Sequence, residues 1–283
     1  MKKIIYIAGL GHSGSTILDM ALGCHPDIVG LGEIYAVLNK KNQKALFEKS
    51  TCSCGKKGVV CRFWKDLQSI SFSDKTTEEK YRKLISVFNE KYGDNMILLD
   101  SSKNSYSYLQ FLNKEYDLRV IYLTRDYRSW VYSRFTRTRK PMLFLILRWY
   151  LENKKLLYVL KKYGIKINYI GYEELAMYPE FILKKICKFL NIDFSKELLV
   201  PDNTKSHIIN GNISRTDKEK RQGFFYDLRW MTSGRLTLLS SIFAVFNRFN
   251  KKLVYSNISG TKKDDFHIFG NKKKKQLLSE HNE

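Results

Sequence analysis

The sequence predicts a three-layer α/β fold in which helices cover both faces of a mainly parallel sheet. Three short apolar runs, at 4–7, 96–100 and 120–123, are typical of buried strands, and segments with helical periodicity separate them. The first run leads into a glycine-rich loop and then a helix, which is the order that a parallel α/β sheet requires. The chain has 283 residues, 43% of them hydrophobic, which is enough for one sizeable core.

We predict a single domain over residues 1–260, because no internal repeat or linker divides this stretch. Residues 50–65 read as a cysteine-containing insertion, and residues 261–283 as a Lys-rich, mobile tail. The formal net charge of +22 suits an anionic partner. The lysines are spread along the chain without an RNA- or DNA-binding signature, so we expect no nucleic-acid partner.

The loop at 9–16, GLGHSGST, is the stretch around which the chain is organised. Its glycines let the backbone curl around an anion, and the helix that follows favours negative charge at its N-terminus. Gly9, Gly14 and Thr16 match the spacing of the nucleotide-binding P-loop, but Ser15 stands where that motif has lysine. Since that lysine contacts the β and γ phosphates, its loss argues against an ATPase or kinase.

Glu33 follows the glycine-bracketed segment 30–32, after the first helix. Such a carboxylate is either a helix-start residue that complements the helix dipole or a general base, and the spacing favours neither.

Two cationic side chains follow buried strands, at the edge where open α/β sheets bind their ligands. Lys103 comes after the strand at 96–100, and Arg125 after the strand at 120–123. Ser133 lies eight residues beyond Arg125, just over two helical turns, so the two side chains can share an orientation. An arginine with a hydroxyl beyond it suits a phosphate. A solvated lysine and an Arg-rich surface helix are the alternatives.

Local patterns predict the remaining elements. An amphipathic helix at 75–92 ends at Gly93, and Ser101 or Ser102 can cap the helix after the second strand. Periodicity further predicts a strand at 167–171 and helices at 142–164, 179–192 and 216–247.

The cysteine cluster consists of Cys52, Cys54 and Cys61. Its spacing differs from the usual CxxC zinc pattern, and His25 is the candidate for a fourth ligand. Because the N-terminal sequence shows no export signal, we expect reduced thiols. We favour cysteines that pack or stay free over a metal site.

Neither a signal-peptide core nor a run of eighteen apolar residues occurs, which predicts a cytoplasmic protein without a transmembrane helix. Lys and Arg flank two shorter apolar segments, at 141–147 and 236–246. We expect core helices there, and peripheral contact with an anionic membrane is the alternative.

Residues 9–33 together with 96–135 resemble the sulfotransferases that use 3′-phosphoadenosine 5′-phosphosulfate (PAPS), in particular the tyrosylprotein sulfotransferases and their bacterial relatives. HSGSTILDMALGCHPDIVGLGE at 12–33 is similar to that group's loop, helix and Gly-Glu. DSSKN at 100–104 is similar to its lysine segment, and LTRDYRSWVYSR at 123–134 to its phosphate motif. The resemblance implies a P-loop-like sulfotransferase fold.

The resemblance also implies which residues bind the donor. Arg125 and Ser133 would hold the 3′-phosphate. Asn212 and Arg215 belong to a segment, 207–215, that resembles a late loop folding over the donor, with a plain surface loop as the alternative. The 5′-phosphosulfate would lie in a cradle made of Gly11, His12, Ser13, Gly14, Ser15 and Thr16.

Three residues would be catalytic if the resemblance holds. Glu33 would take the proton of the acceptor, and Lys103 would stabilise charge on the sulfuryl group and the leaving phosphate. His12 would assist, although many members carry Lys or Arg there. Because histidine is only partly charged near neutral pH, we expect weaker or pH-dependent donor binding.

The sequence therefore predicts sulfuryl transfer from PAPS to an acceptor hydroxyl, by in-line attack and without a metal. We favour a carbohydrate or glycolipid acceptor over tyrosine or a small metabolite. One alternative is a P-loop-type kinase that uses ATP and Mg²⁺, with Asp100 as its metal-binding acid. The other is a non-catalytic protein that binds anions or membranes.

Overall fold

The computed structural model describes residues 1–67, 75–103, 108–242 and 244–260. The tail predicted at 261–283 lies outside these residues. Within them, one sheet contains five parallel strands. They are β1 (Lys3–Gly9), β2 (Ile28–Gly30), β3 (Ile97–Asp100), β4 (Asp117–Thr124) and β5 (Lys166–Gly171).

The spatial order of the strands is β2-β3-β1-β4-β5. The central strand β1 pairs with β3 on one side, where Ile5 lies opposite Leu99, and with β4 on the other, where Ile5 lies opposite Arg119. Strands β2 and β3 lie on one side of β1, and β4 and β5 lie on the other. The carboxyl end of β1 is therefore a topological switch point. Open α/β sheets bind their ligands at such points.

Helices complete the fold, and their order agrees with the predicted alternation. They are α1 (Ser15–Leu22), α2 (Ile34–Leu38), α3 (Gln43–Lys49), α4 (Thr77–Tyr92), α5 (Leu109–Glu115), α6 (Tyr127–Thr138), α7 (Met142–Lys162), α8 (Tyr172–Met177), α9 (Pro179–Leu190), α10 (Gly234–Ile242), α11 (Ala244–Val254) and α12 (Ser256–Gly260).

The three layers follow from the alternation of side chains along each strand. Ile4 and Tyr6 of β1 lie in one buried apolar cluster, together with residues of α4 and α7. Ile5 and Ile7 lie in a second cluster on the other face, with residues of α1 and α9. The predicted three-layer fold with a mainly parallel sheet is therefore confirmed.

Helix α4 shows how a local pattern fixes an element. The Thr76 hydroxyl accepts from the Glu79 backbone N–H at 3.2 Å, and the Glu79 carboxylate accepts from the Thr76 N–H at 2.7 Å. This capping box starts the helix, and Gly93, with a φ of 87°, ends it. The helix predicted at 75–92 is thus present, with its start two residues later.

Two expectations about helices were wrong. Neither Ser101 nor Ser102 caps the helix after β3, because α5 begins at Leu109 with Tyr108 at its N-cap position. The Ser102 hydroxyl instead accepts from the Tyr35 N–H in the first turn of α2 at 2.9 Å. Helix was also predicted throughout 216–247, but the structure has only short 3-10 turns, at Glu219–Arg221 and Arg229–Thr232, before α10 begins. Several side chains of this stretch face a cavity instead of burying an apolar stripe.

The two apolar segments flanked by basic residues are only partly buried. In α7, Leu145 and Trp149 are in the core, whereas Leu143 and Phe144 are 42% and 48% exposed. In α10, Leu238 is 63% exposed. None of the helices in the described parts of the chain is both long enough and apolar enough to span a bilayer.

Candidate active site

The loop between β1 and α1 carries the predicted anion site. Gly14 has a φ of 91°, and a Cβ there would lie 2.3 Å from a carbon of the Tyr172 ring, so this position requires glycine. Ser15 and Thr16 occupy the first turn of α1, whose backbone N–H groups have no acceptors within the helix. Such a turn attracts an anion.

A cavity of about 810 Å³ opens at the carboxyl ends of β1, β3 and β4. Most of the residues predicted from the sequence line it, although they come from separate parts of the chain. They are Gly11, His12, Gly14, Ser15, Thr16, Glu33, Lys103, Arg125, Ser133 and Asn212. The eight-residue spacing of Arg125 and Ser133 therefore does place both beside one cavity.

Ser13 and Arg215 do not line the cavity among the described residues. Ser13 is 2% exposed. The Arg215 guanidinium donates to the Gly211 carbonyl at 2.9 Å and to the Thr51 carbonyl at 3.3 Å. Arg215 therefore supports the loop that presents Asn212, instead of facing the cavity itself.

Glu33 and Lys103 form an ion pair although they lie 70 residues apart in sequence. Both side chains are mostly buried, at 22% and 14% exposed. Glu33 is indeed the residue that starts α2, but its side chain caps no backbone group of that helix. Its carboxylate therefore contacts Lys103 and not the backbone of the helix that it starts.

The backbone holds Lys103 in an unusual conformation. Its φ is 65°, in the left-handed region that non-glycine residues seldom occupy. The Lys103 N–H donates to the Ile7 carbonyl at 3.1 Å, and the Tyr6 hydroxyl donates to the Lys103 carbonyl at 3.1 Å. These bonds to β1 fix the direction in which the lysine leaves the sheet. Outliers of this kind concentrate at functional sites.

Arg125 is anchored from two sides. Its Nη1 donates to the His12 carbonyl at 3.0 Å, and its Nη2 lies 2.6 Å from Asp227 Oδ2. Its Nε is buried and has no hydrogen-bond partner among the described residues. The Trp149 indole donates to the Arg125 carbonyl at 3.1 Å, which fixes the backbone at the end of β4. The side chain is rigidly placed and keeps one unused donor.

Asp227 is a site residue that the sequence analysis missed. It also accepts from Arg229, at 2.7 Å and 2.8 Å. Burial raises its pKa, but the hydrogen bonds from Arg229 and the charge of Arg125 outweigh burial and lower the pKa below its usual value. The carboxylate is therefore ionised. It lies in the stretch taken for helix, where no local pattern marks it.

The cavity is strongly cationic. Two carboxylates, Glu33 and Asp227, line it within the described chain, against five cations. The five are Lys103, Arg125, Arg137, Lys220 and Arg229. The excess of positive charge suits a ligand with several negative charges.

His12 differs from what we expected. Burial first, and then the positive charges of Arg134 and Arg137, lower its pKa to about 4. The imidazole is therefore neutral near pH 7, instead of partly charged. At that pH it brings no positive charge to the loop.

Asp126, next to Arg125, anchors the start of α6. It is 1% exposed, and its carboxylate accepts from the Arg128 N–H at 2.9 Å and from Asn250 at 2.8 Å. Its own N–H donates to Glu173 at 2.9 Å. This buried network sets the position of the helix that carries Ser133.

Asp100, the acid that a kinase would use for its metal, is not among the described residues that line the cavity. It is fully buried, and its carboxylate accepts from Tyr108 at 2.7 Å, Tyr81 at 3.1 Å and the Ser102 N–H at 2.9 Å. Its oxygens are occupied by protein donors, which leaves it no role as a metal ligand in the cavity.

The three clustered cysteines lie together, but His25 is not with them. Its Nε2 is 3.0 Å from the Asp193 carbonyl, and its Nδ1 accepts from the Asp27 N–H at 3.2 Å. The histidine beside the cysteines is His207, which corrects the candidate named from the sequence.

The sequence and the fold were compared with known proteins. Residues 5–196 match the family described as the sulfotransferase family. The sulfotransferase domain of the olefin synthase from Synechococcus PCC 7002 is 20% identical; the match covers 86% of this chain and 96% of that one, with a TM-score of 0.52. The sulfotransferase domain from the curacin biosynthetic pathway is 19% identical, with 86% and 98% covered and a TM-score of 0.51. At these identities the likeness shows the fold alone. No curated protein matches the chain.

Proposed function

Because the chain belongs to the sulfotransferase family, we propose that it transfers a sulfuryl group from PAPS to the hydroxyl of an acceptor. One observation carries the proposal most directly. The Glu33 carboxylate and the Lys103 ammonium are paired on the wall of a cavity that also contains an anion-binding loop and Arg125.

The residues that line the cavity fit the donor. The volume of the cavity, about 810 Å³, lies within the range of about 300–1,000 Å³ typical of small-molecule sites. The first turn of α1 would receive the 5′-phosphosulfate, and Arg125 with Ser133 the 3′-phosphate. A phosphate there would share or replace the contact of 2.6 Å between Arg125 Nη2 and Asp227 Oδ2.

The chemistry assigned to the chain is acid–base and electrostatic. The acceptor oxygen attacks sulfur, a new O–S bond forms, and the bond from sulfur to the phosphate oxygen breaks. Glu33 takes the acceptor's proton, and Lys103 stabilises the negative charge that grows on the departing phosphate. Their contact keeps base and cation side by side. His12, neutral near pH 7, can donate one hydrogen bond to the transferred group.

For the acceptor we propose a carbohydrate or a lipid-linked glycan. Support comes from the apolar residues exposed on α7 and α10, among them Phe144, whose ring lies 5.6 Å from the Lys140 ammonium. A basic and apolar surface of this kind suits peripheral contact with an anionic membrane.

The alternatives are less well supported. A kinase would need the loop lysine, which is Ser15 here, and a metal-binding acid, whereas Asp100 is enclosed by tyrosines. A non-catalytic binder would have no use for a carboxylate paired with an ammonium beside the anion loop. Neither alternative is favoured by a specific feature of the cavity.

The test is transfer of ³⁵S from labelled PAPS to a panel of acceptors. The panel contains an oligosaccharide, a glycolipid in anionic or neutral vesicles, a tyrosine peptide and a phenol. We expect ³⁵S-labelled product without added Mg²⁺. In a separate reaction with labelled ATP and Mg²⁺ we expect no phosphorylated product. Replacing the base, Glu33→Gln, should lower kcat about 10²- to 10⁴-fold and change the affinity for 3′-phosphoadenosine 5′-phosphate (PAP) little.

The control variant is Glu48→Gln, which changes an exposed carboxylate on α3. It should leave the rate unchanged. Phosphate transfer from ATP, or equal rates for the wild type and Glu33→Gln, would contradict the proposal. If only phenols were sulfated, the acceptor class alone would be wrong.

A further inference from the structure

Three thiols and one imidazole converge outside the catalytic cavity. Cys61 Sγ lies 3.6 Å from Cys52 Sγ, 3.8 Å from Cys54 Sγ and 3.2 Å from His207 Nδ1. Cys52 Sγ is 3.9 Å from the same nitrogen, and all four ligand atoms lie within 4.8 Å of one another. None of the four residues is among the described lining of the catalytic cavity.

Tight backbone turns bring the cysteines together. The Cys52 N–H donates to the Lys56 carbonyl at 2.8 Å, and the Gly55 N–H donates back to Cys52 at 2.9 Å. Gly55 has a φ of 83°, which this turn needs. A single 3-10 turn follows, in which the Cys61 N–H donates to the Gly58 carbonyl at 3.2 Å.

His207 enters from a segment 146 residues further along. Its N–H donates to the Gly30 carbonyl at 2.6 Å, and its carbonyl accepts from the Trp64 indole at 2.5 Å. The ring of Phe63 stacks beside its imidazole, with 6.4 Å between centroids. The imidazole is therefore held in place by packing and by its backbone.

Ser53, between the first two cysteines, joins the two segments directly. Its hydroxyl donates to the Ser206 carbonyl at 2.6 Å and accepts from the Ile208 N–H at 2.9 Å. Its own N–H donates to the Ile208 carbonyl at 2.9 Å. Three hydrogen bonds thus hold the cysteine turn against the residues on both sides of His207. These bonds join protein groups directly and do not depend on a bound ion.

The separations match a tetrahedral metal site. With Zn–S bonds of about 2.3 Å and Zn–N bonds of about 2.0–2.1 Å, ideal tetrahedral edges are about 3.8 Å between two sulfurs and about 3.6 Å between sulfur and nitrogen. Two of the three sulfur–sulfur distances are 3.6 Å and 3.8 Å. Two of the three sulfur–nitrogen distances, 3.2 Å and 3.9 Å, bracket the ideal edge, and the remaining two edges are within 4.8 Å.

Neither a disulfide nor simple burial of the thiols accounts for the whole cluster. A disulfide would need two sulfurs about 2.05 Å apart and would leave the third thiol and the imidazole without a role. All five cysteines of the chain are free thiols. Burial of cysteine as a small apolar residue suits Cys52 and Cys61, but not Cys54, which is exposed and still directs its sulfur to the cluster.

We propose that Cys52, Cys54, Cys61 and His207 bind a structural Zn²⁺ ion. Three thiolates and an imidazole are one of the donor sets that structural zinc sites use, and soft sulfur ligands favour zinc over magnesium or calcium. Four protein ligands leave no position for water or substrate. The ion therefore stabilises the fold and takes no part in chemistry.

The site has a consequence for the catalytic cavity, and this part rests on the proposed function. His207 leads directly into the loop that presents Gly211 and Asn212, and the Asn212 N–H lies 3.3 Å from the Thr16 hydroxyl. Arg215 ties the same loop to Thr51, next to the first cysteine. Removing the ion should loosen this loop and weaken donor binding.

The experiment is zinc analysis of the full chain, purified under reductant and dialysed against Zn²⁺ and then against metal-free buffer. We expect about one zinc ion per chain by elemental mass spectrometry. Replacing zinc by Co²⁺ should give the visible absorption of tetrahedral cobalt together with a thiolate-to-cobalt charge-transfer band.

Cys54→Ser is the decisive variant, because Cys54 is exposed and the change leaves the core intact. Its zinc affinity is measured by competition with a chromophoric chelator. Mutation of a residue that only hydrogen-bonds to a ligand lowers metal affinity about 10- to 100-fold, and loss of the ligand Cys54 should lower it further. Cys187→Ser, which changes a cysteine of α9 outside the cluster, is the control and should retain the zinc. Circular dichroism confirms that each variant is folded.

The proposal is overturned if the folded protein retains no zinc, or if Co²⁺ gives no thiolate band. It is equally overturned if Cys54→Ser binds zinc as tightly as the wild type. These readouts do not involve PAPS, so they stand whether or not the proposed function is correct. Weaker PAP binding by Cys54→Ser, unchanged in Cys187→Ser, would support the link to the loop.

Discussion

Arg125 gives the sharpest test of the donor. In the structure its Nη2 contacts Asp227, its Nη1 contacts the His12 carbonyl, and its Nε is buried without a hydrogen-bond partner among the described residues. If this guanidinium binds the 3′-phosphate, Arg125→Ala should weaken PAP much more than AMP, which lacks that phosphate. Arg125→Lys keeps the charge but loses the fork of donors, so it should recover only part of the affinity.

The magnitude follows from the contacts. Two hydrogen bonds to a charged phosphate contribute about 1.5–3 kcal/mol each. Part of this free energy is offset, because the phosphate must draw Arg125 away from Asp227. Asp227 still keeps its second partner, Arg229, at 2.7 Å. A net loss of about 2–4 kcal/mol corresponds to an affinity about 30- to 1,000-fold lower.

Isothermal titration calorimetry with PAP, AMP, ADP and ATP measures these affinities. Arg119→Ala is the matched control: this arginine lies in the same strand, β4, and is paired to Asp117 instead of to a cavity residue. The control should bind PAP normally. Equal losses of PAP and AMP affinity in Arg125→Ala, or tight Mg²⁺-dependent binding of ATP, would refute the assignment.

Two further predictions concern the loop. Because burial and positive neighbours lower the pKa of His12 from 6.5 to about 4, the unfolded chain binds the extra proton first, and stability falls as the pH falls from 6.5 to 4. His12→Asn, which tolerates the φ of 73°, should reduce this loss, and urea unfolding at pH 7 and pH 4.5 measures it; identical pH dependence would contradict the burial of His12. Gly14→Ala places a Cβ 2.3 Å from the Tyr172 ring and should lower Tm by several degrees, at about 2–4 °C per kcal/mol. Gly11→Ala meets nothing within 4 Å, so its Tm should stay near that of the wild type, and equal effects of both changes would argue against strain in the loop.

Much of the fold could be predicted because the relevant signals are local. The apolar runs and glycine loop located β1, β3, β4 and α1, and the amphipathic pattern at 75–92 placed the start of α4 within two residues. Arg125 and Ser133 both line the cavity, as predicted, although Arg125 precedes α6 and only Ser133 lies on the helix.

What could not be predicted depends on contacts between distant segments. The pairing of Glu33 with Lys103, the contact of Asp227 with Arg125, and the identity of the histidine beside the cysteines are set only when the sheet brings separate loops together. His25 was the nearer histidine along the chain, but His207 is the one in place. Spacing ranks candidates along the chain and carries no information on which segments the fold will join.

The hydrogen bonds between Ser53 and Ile208 also bear on the order of folding. They close a loop of 155 residues, at an entropic cost of about 4.5 kcal/mol plus a constant. All five strands of the sheet lie within the first 171 residues, so every strand has been synthesised before Ile208. The cysteine turn therefore docks late in synthesis. A growing chain exposes Glu33 before the segment that presents Asn212 to the cavity has been made.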